Sequence, residues 1–202
     1  PHGAGHGDGE PEALVEEHAD VHHAADVGPL LDQDHADLAA KIVVNHNSTN
    51  ITPLLAGYSN TTDDFYGHGT HVAGIAAAIT NNGIGVAGVG YNAVIMNVKV
   101  LGDDAGSGWY SWIIDGIAWA TDNGAKVINM SLGGTESSSA LRDAINYAWS
   151  EGVVIVAAAG NDNTATPLYP AYYGNCTAVA ATDNVDARGW FSNYGSWVDI
   201  AA

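Results

Sequence analysis

The run VIMNVKVL (residues 94–101) decides the fold class, because it is short, rich in β-branched residues and followed by a glycine. Three runs of the same kind come later in the chain: VINMSL (127–132), VVIVAAAG (153–160) and TAVAATD (177–183). Apolar runs of this length, bounded by turn residues, are typical of strands buried on both faces of a parallel sheet. We therefore expect four parallel strands in this part of the chain.

Helical patterns alternate with these strands. They are GTHVAGIAAAI (69–79), WYSWIIDGIAWATDNG (109–124) and SSALRDAINYAWSEG (138–152), and the last two end on Gly124 and Gly152, as helix C-caps do. Alternating strands and helices predict an α/β fold, a three-layer doubly wound parallel sheet with helices on both faces. In such folds the functional residues lie at the carboxyl ends of the strands.

The amino-terminal segment differs from the rest. Its sequence PHGAGHGDGEPEALVEEHADVHHAAD (1–26) holds five of the nine histidines and has almost no apolar periodicity. We therefore expect residues 1–27 to be poorly ordered or degenerate, with no proper strand, and the folded domain to occupy residues 28–202. The histidine spacing matches no tight metal site.

Charge excludes several classes of partner. The chain has 23 acidic and five basic residues, a formal net charge of −18. Such a surface repels nucleic acid and anionic membranes, so we expect neither as a partner. No apolar run is long enough to cross a membrane. Strong salt would screen the self-repulsion of this surface, and the composition therefore suggests a halophilic source.

Two smaller features have ordinary explanations. GIGVAG (83–88) matches the dinucleotide-binding string, but its glycines follow a helix and precede a strand, which is the wrong order for that site. Cys176 is the single cysteine, which excludes an internal disulfide and suggests a small buried residue.

His68 is the first candidate for catalysis. It lies between two glycines at the start of a helix, where the positive end of the helix dipole disfavours its protonation. A neutral, approachable imidazole is what a general base requires. His71 lies three residues further on, but zinc hydrolases with a histidine pair on a helix also need a nearby glutamate, which is missing here. We therefore expect His71 to be a packed helix residue, and a metal-dependent hydrolase remains a distant alternative.

At this point the chain resembles a known family. Its segments GHGTHVAGIAAA (67–78), NNGIGVAGV (81–89), KVINMSLGG (126–134), VVIVAAAGN (153–161) and FSNYGSWVDIAA (191–202) are similar, in the right order, to motifs of the subtilisin-like serine proteases, the subtilases. The resemblance covers roughly residues 35 to 202 and is closest to the thermitase-like and halolysin-like branches. It implies a secreted, monomeric serine endopeptidase that acts on protein or peptide substrates through an acyl-enzyme.

The resemblance also assigns roles. It makes His68 the general base of a Ser-His-Asp triad and Asn161 the side-chain donor to the oxyanion. Substrate-binding positions follow from the same motifs: Gly106, Ser107 and Gly108 on one wall, Ser131, Leu132 and Gly133 on the other, and Ala158 in the primary pocket. A structural calcium ion is implied, held by the side chains of Asp37 and Asn82 and the carbonyl oxygens of Thr80, Ile84 and Val86.

Two members of the triad do not follow directly. The family places its serine in a G-T-S-x-A motif, which we expect beyond residue 202, so this chain alone would be inactive. The aspartate belongs in a D-T/S-G motif, and Asp26, in D-V-G, is the preferred candidate, with Asp32 in reserve. A non-catalytic peptide-binding module of the same fold is the alternative function.

Overall fold

The computed structural model describes residues 22–28, 31–49, 64, 66–102 and 107–202. Within them, one seven-stranded sheet has the order β2-β3-β1-β4-β5-β6-β7, and every neighbouring pair of strands is parallel. The strands are β1 (His22–Gly28), β2 (Ile42–Asn47), β3 (Ala93–Lys99), β4 (Val127–Met130), β5 (Val154–Ala158), β6 (Thr177–Ala180) and β7 (Ile200–Ala201). The predicted parallel α/β sheet is confirmed.

Helices lie on both faces of this sheet. They are α1 (His68–Ala77), α2 (Tyr110–Asp122) and α3 (Ser139–Ser150). Met96 and Val98 of β3 belong to the larger core, which includes buried residues of α2 and α3. Ile95 belongs to a second core with Ala73 and Ala77 of α1. Because successive residues of a strand point to opposite faces, α1 covers one face and the α2–α3 pair the other.

The ends of the helices follow the sequence signals. Gly124 and Gly152 come just after α2 and α3 and have φ angles of 88° and 81°, the left-handed conformation that glycine adopts most easily. At the start of α3, the hydroxyl oxygen of Ser138 accepts a hydrogen bond from the backbone N–H of Leu141 at 3.3 Å. Both glycine C-caps were therefore predicted correctly.

The first strand contradicts the prediction for the amino-terminal segment. Residues 22–28 form β1, which lies near the middle of the sheet between β3 and β4, so a boundary at residue 27/28 would cut through a strand. Ala25 and Val27 are completely buried, because they face the larger core. The sequence HHAADVG hides this burial, since it contains three polar residues and no large apolar side chain. Residues 1–21 lie outside the described part of the chain.

Among the described residues, no helix is long and apolar enough to cross a membrane.

Candidate active site

Asp26 lies on β1, on the face of the sheet that α1 covers. Its neighbours Ala25 and Val27 face the other side, and its own side chain is only 7% exposed. The oxygen Oδ1 accepts a hydrogen bond from Nδ2 of Asn129 at 3.1 Å. The second oxygen, Oδ2, is buried and has no hydrogen-bond partner among the described residues. Asp26 therefore has one oxygen held and one available.

The burial of Asp26 changes its acidity. Loss of hydration raises the pKa of Asp26 from 3.8 to about 7, against the opposing effect of the Asn129 hydrogen bond. The negative charge of Asp64 makes a smaller contribution to this rise in pKa. A carboxyl group with this environment changes its charge near neutral pH, which is common at functional sites.

His68 begins α1, and the residues before it fix its position. Gly67 takes a left-handed conformation with φ of 84°, which turns the chain into the helix. The carboxylate of Asp64 accepts hydrogen bonds from the backbone N–H of Gly67 at 2.6 Å and of Thr70 at 2.9 Å. These bonds satisfy donors at the start of α1 that have no partner within the helix. The ring nitrogen Nδ1 of His68 is buried and, like Asp26 Oδ2, lacks a partner among the described residues.

A first cavity, with a volume of about 390 Å³, opens beside His68. Five of the predicted substrate-binding residues line it: Ser107, Gly108, Ser131, Leu132 and Gly133. Aromatic and aliphatic side chains complete its wall, among them Tyr66, Leu101, Tyr110 and Ile113. The sixth predicted position on these two walls, Gly106, lies outside the described residues.

Two glycines in the wall of this cavity pack closely against neighbouring residues. A Cβ atom on Gly108 would lie 2.5 Å from the carbonyl oxygen of Val100. On Gly133 it would lie 2.4 Å from Cδ2 of Leu168. Both distances are too short for any side chain without a shift of the neighbour. Glycine leaves the backbone N–H and C=O groups accessible, which is what an extended peptide needs for main-chain pairing.

A second cavity, of about 550 Å³, adjoins the first, since Ser131 lines both. Asn161, which follows β5, lines it together with Ala158 and Asn129. His71 lines it as well and its side chain is exposed, so the prediction of a packed helix residue was wrong. The base candidate and the oxyanion candidate thus belong to adjoining cavities with one shared wall.

Asp32, the reserve candidate for the acid, has a different environment. Its Oδ1 accepts a hydrogen bond from the backbone N–H of Asp34 at 3.0 Å, so this side chain closes a local turn. It is half-buried, and the backbone N–H of Asp32 donates to Oγ1 of Thr70 at 2.8 Å. Asp32 therefore stabilises the loop that follows β1, whereas Asp26 has a buried oxygen without a hydrogen-bond partner among the described residues.

Asn129 is the residue of the site that the sequence did not single out. The sheet pairs it with Asp26, and its Nδ2 also lies 3.2 Å from Oγ of Ser131. The sequence did contain one signal that Asn129 has a special role, because it is a polar residue between Ile128 and Met130, which are buried. Which neighbour it meets depends on strand register, and register is not visible in the sequence.

The predicted calcium ligands lie at the far end of α1. Asp37 is buried, its Oδ1 accepts from Nδ2 of Asn82 at 2.6 Å, and its Oδ2 accepts from the backbone N–H of Val86 at 2.9 Å. These two bonds, that of Asn82 first, hold the pKa of Asp37 below its ordinary value. Gly85 has a φ of 57°, and a Cβ there would come within 1.9 Å of Asp37 Oδ2. The loop is therefore closed tightly around this carboxylate.

The oxygen atoms of this loop fit a hard cation. Within the described residues, the carbonyl oxygens of Thr80, Ile84 and Val86 accept no hydrogen bond. One carboxylate, one amide and three carbonyls are the donor set that calcium prefers. No cluster of three histidine, cysteine or acidic side chains suited to a metal occurs in the described ranges, so a zinc-type site has no support there.

Comparisons with known proteins identify the family of this chain. The model of the subtilase family matches residues 30–202. Thermitase from Thermoactinomyces vulgaris is 50% identical over 169 residues, which are 84% of this chain and 58% of thermitase. A thermophilic serine proteinase from Bacillus sp. (strain AK1) is 45% identical over 85% of this chain and 41% of its own length.

Solved structures give the same result. A protease from Pseudoalteromonas arctica PAMC 21717 superimposes with a TM-score of 0.80 at 37% identity, over 90% of this chain and 62% of that one. A cold-adapted subtilisin-like serine proteinase gives a TM-score of 0.75 at 34% identity, over 89% and 62% of the two chains. The chain thus spans less than two thirds of the length of these relatives. From its sequence and its fold, this chain belongs to the subtilase family.

Proposed function

We propose that this chain is the part of a serine endopeptidase that supplies the general base, its aspartate and most of the peptide-binding cleft. The observation that carries the proposal is a pair of complementary atoms. Asp26 Oδ2 and His68 Nδ1 are both buried, and neither has a hydrogen-bond partner among the described residues. An imidazole N–H and a carboxylate oxygen satisfy each other, which is how an aspartate orients the histidine of a triad.

The proposed chemistry follows from these groups. The free ring nitrogen of His68 takes the proton of the nucleophilic serine, which we expect after residue 202, and later gives it to the leaving amine. The carboxylate of Asp26 holds the tautomer in which Nδ1 carries the hydrogen. The side-chain amide of Asn161 donates to the oxyanion as negative charge develops in the transition state.

The substrate class is an extended peptide with apolar side chains. The backbone around Ser107 and Ser131 would pair with the peptide main chain on its two sides. The apolar wall formed by Leu101, Ile113 and Leu132 favours apolar or aromatic side chains. Within the second cavity Ala157 and Ala158 present no charge, so broad tolerance is expected at the primary pocket.

Calcium is proposed as a structural ion. Asp37, Asn82 and the three free carbonyls would hold it, and its charge would compensate the buried carboxylate. The ion would stabilise the loop that follows α1 rather than take part in the reaction. Secretion, a monomeric state and adaptation to high salt are proposed from the family and from the net charge of −18.

The test uses the full-length protein that contains this chain. Hydrolysis of an extended peptide with an apolar residue before the scissile bond, together with labelling by a fluorophosphonate, is the expected result. His68→Ala should abolish both. Peptide binding without labelling would instead support the non-catalytic module. Loss of activity in His71→Ala as complete as in His68→Ala, with recovery on adding zinc after chelation, would support a metal-dependent hydrolase.

A further inference from the structure

The strand next to the candidate acid presents one polar side chain at the level of Asp26. Parallel pairing of β1 with β4 aligns Asp26 with Asn129. Ile128 and Met130, on either side of Asn129, are completely buried in the larger core, so Asn129 faces the side that Asp26 faces. The backbone of the sheet therefore sets these two side chains beside each other, 103 residues apart in sequence.

We propose that Asn129 is a positioning residue of the protease, which holds Oδ1 of Asp26 so that Oδ2 stays available to Nδ1 of His68. The proposal rests on the function proposed above. Its direct support is the 3.1 Å hydrogen bond from Asn129 Nδ2 to Asp26 Oδ1, together with the absence of any partner for Oδ2 among the described residues. An amide N–H that donates to one oxygen fixes the plane of a carboxylate, because the two oxygens are rigidly joined.

The same amide connects the acid to the cleft. Its Nδ2 lies 3.2 Å from Oγ of Ser131, which lines both cavities, and Asn129 itself lines the cavity that contains Asn161. A single side chain thus contacts the candidate acid and the wall on which the peptide would lie. Binding of substrate along Ser131 would tighten the orientation of Asp26 through Asn129.

Asn129 also favours the ionised form of Asp26. Burial alone disfavours the carboxylate, and the hydrogen bond from Asn129 lowers the pKa against that effect. Charged or titratable groups near this face are Asp64, which repels the carboxylate, and His68 at the start of α1. His71 of α1 lines the same cavity as Asn129, and the buried Lys99 lies two residues along β3 from Asn97. Asn97, the partner of Asp26 on the β3 side, carries no charge.

The main test replaces the hydrogen-bond donor Asn129 by leucine, which has almost the same size. Asn129→Leu removes the amide, Asn129→Gln keeps it one methylene further out, and Asn129→Ser provides a smaller variant if leucine prevents folding. Asn45→Leu is the matched control, because Asn45 belongs to the same row on the outer strand β2, where it bonds to Gln33 and Asn97 and not to Asp26. All variants are made in the full-length protein.

The first measurement is the titration of the Asp26 carboxyl carbon, followed by ¹³C NMR. We expect Asn129→Leu to raise this titration midpoint by about one to two pH units, since hydrogen bonds to charged groups are of that strength. Asn129→Ser should shift it in the same direction, Asn129→Gln should recover part of the shift, and Asn45→Leu should leave the midpoint unchanged. A folded Asn129→Leu protein with an unchanged midpoint overturns the proposal.

The second measurement is the pH dependence of kcat/KM. Its acidic limb should move upwards with the Asp26 midpoint in Asn129→Leu and return towards the wild-type position in Asn129→Gln. A shift equally large in Asn45→Leu would mean a general structural effect and would contradict a positioning role. If the full-length protein has no protease activity, the proposed function fails, and the NMR titration still decides whether Asn129 controls Asp26.

Discussion

Replacement of Asp26 by asparagine should stabilise the protein at alkaline pH while it removes the candidate acid. In the unfolded chain this side chain ionises at its ordinary pKa of 3.8, whereas in the folded protein burial raises the pKa to about 7. Between these values the folded protein binds a proton that the unfolded chain has lost. The free energy of unfolding therefore falls as the pH rises through this window.

The magnitude follows from the width of the window. About three pH units at 1.36 kcal/mol each give a cost of about 4 kcal/mol once Asp26 is fully ionised. Between pH 5 and pH 8 about 2 to 3 kcal/mol of this cost develops. The asparagine of Asp26→Asn does not ionise. The difference in the free energy of unfolding between this variant and the wild type should therefore be about 2 to 3 kcal/mol larger at pH 8 than at pH 5.

Urea unfolding, followed by tryptophan fluorescence at both pH values in the presence of a serine-directed inhibitor, measures this difference. Asp34→Asn is the control, because the side chain of Asp34 is exposed and its replacement should have the same effect at both pH values. An advantage of Asp26→Asn that is equal at pH 5 and pH 8 would refute the reasoning. It would show that a partner, such as His68, keeps Asp26 ionised against the cost of burial.

Three further predictions concern the metal loop, the surface charge and the oxyanion. A chelator should lower the Tm of the wild type, and calcium should restore it. Neither should change the Tm of Asp37→Asn. Calorimetry that finds no effect of the chelator on the wild type would contradict the calcium site. The Tm should rise from low to molar salt, because screening weakens the repulsion among 23 acidic residues, and an equal Tm in both would contradict salt adaptation. In the full-length protein, Asn161→Leu should lower kcat about 10²–10³-fold with little change in KM, the magnitude known for such a donor in subtilisin; steady-state kinetics that show a change in KM alone would argue against an oxyanion role.

The strands that the sequence predicted are those made largely of β-branched and small apolar residues. β4, β5 and β6 lie within runs recognised from their β-branched residues, and β3 begins one residue before its run. The three α-helices α1 to α3 were found from their apolar patterns, and α2 and α3 also from their terminal glycines. The strands that were missed carry other patterns. β1 contains two histidines and an aspartate, β2 is an edge strand with asparagine and histidine in its second half, and β7 has only two residues.

Residues of the candidate site could be predicted where they belong to a local sequence motif. They could not be predicted where their contacts depend on the register between strands. His68 and Asn161 stand out because a helix start and a strand end are visible in the sequence. Asp26 lies before the part of the chain that the family model matches, and its assignment depends on its place in β1. The bond between Asp26 and Asn129 joins strands 103 residues apart, and only the pairing of β1 with β4 reveals it.

The position of β1 has a practical consequence for anyone who produces this domain. An expression boundary chosen at residue 30, where the family match begins, would delete an interior strand and leave β3 and β4 without their common neighbour. Such a shortened polypeptide would expose two rows of unpaired backbone groups, which invite aggregation. Insolubility of such a polypeptide would be an artefact of the chosen start and would say nothing about the natural stability of the protein.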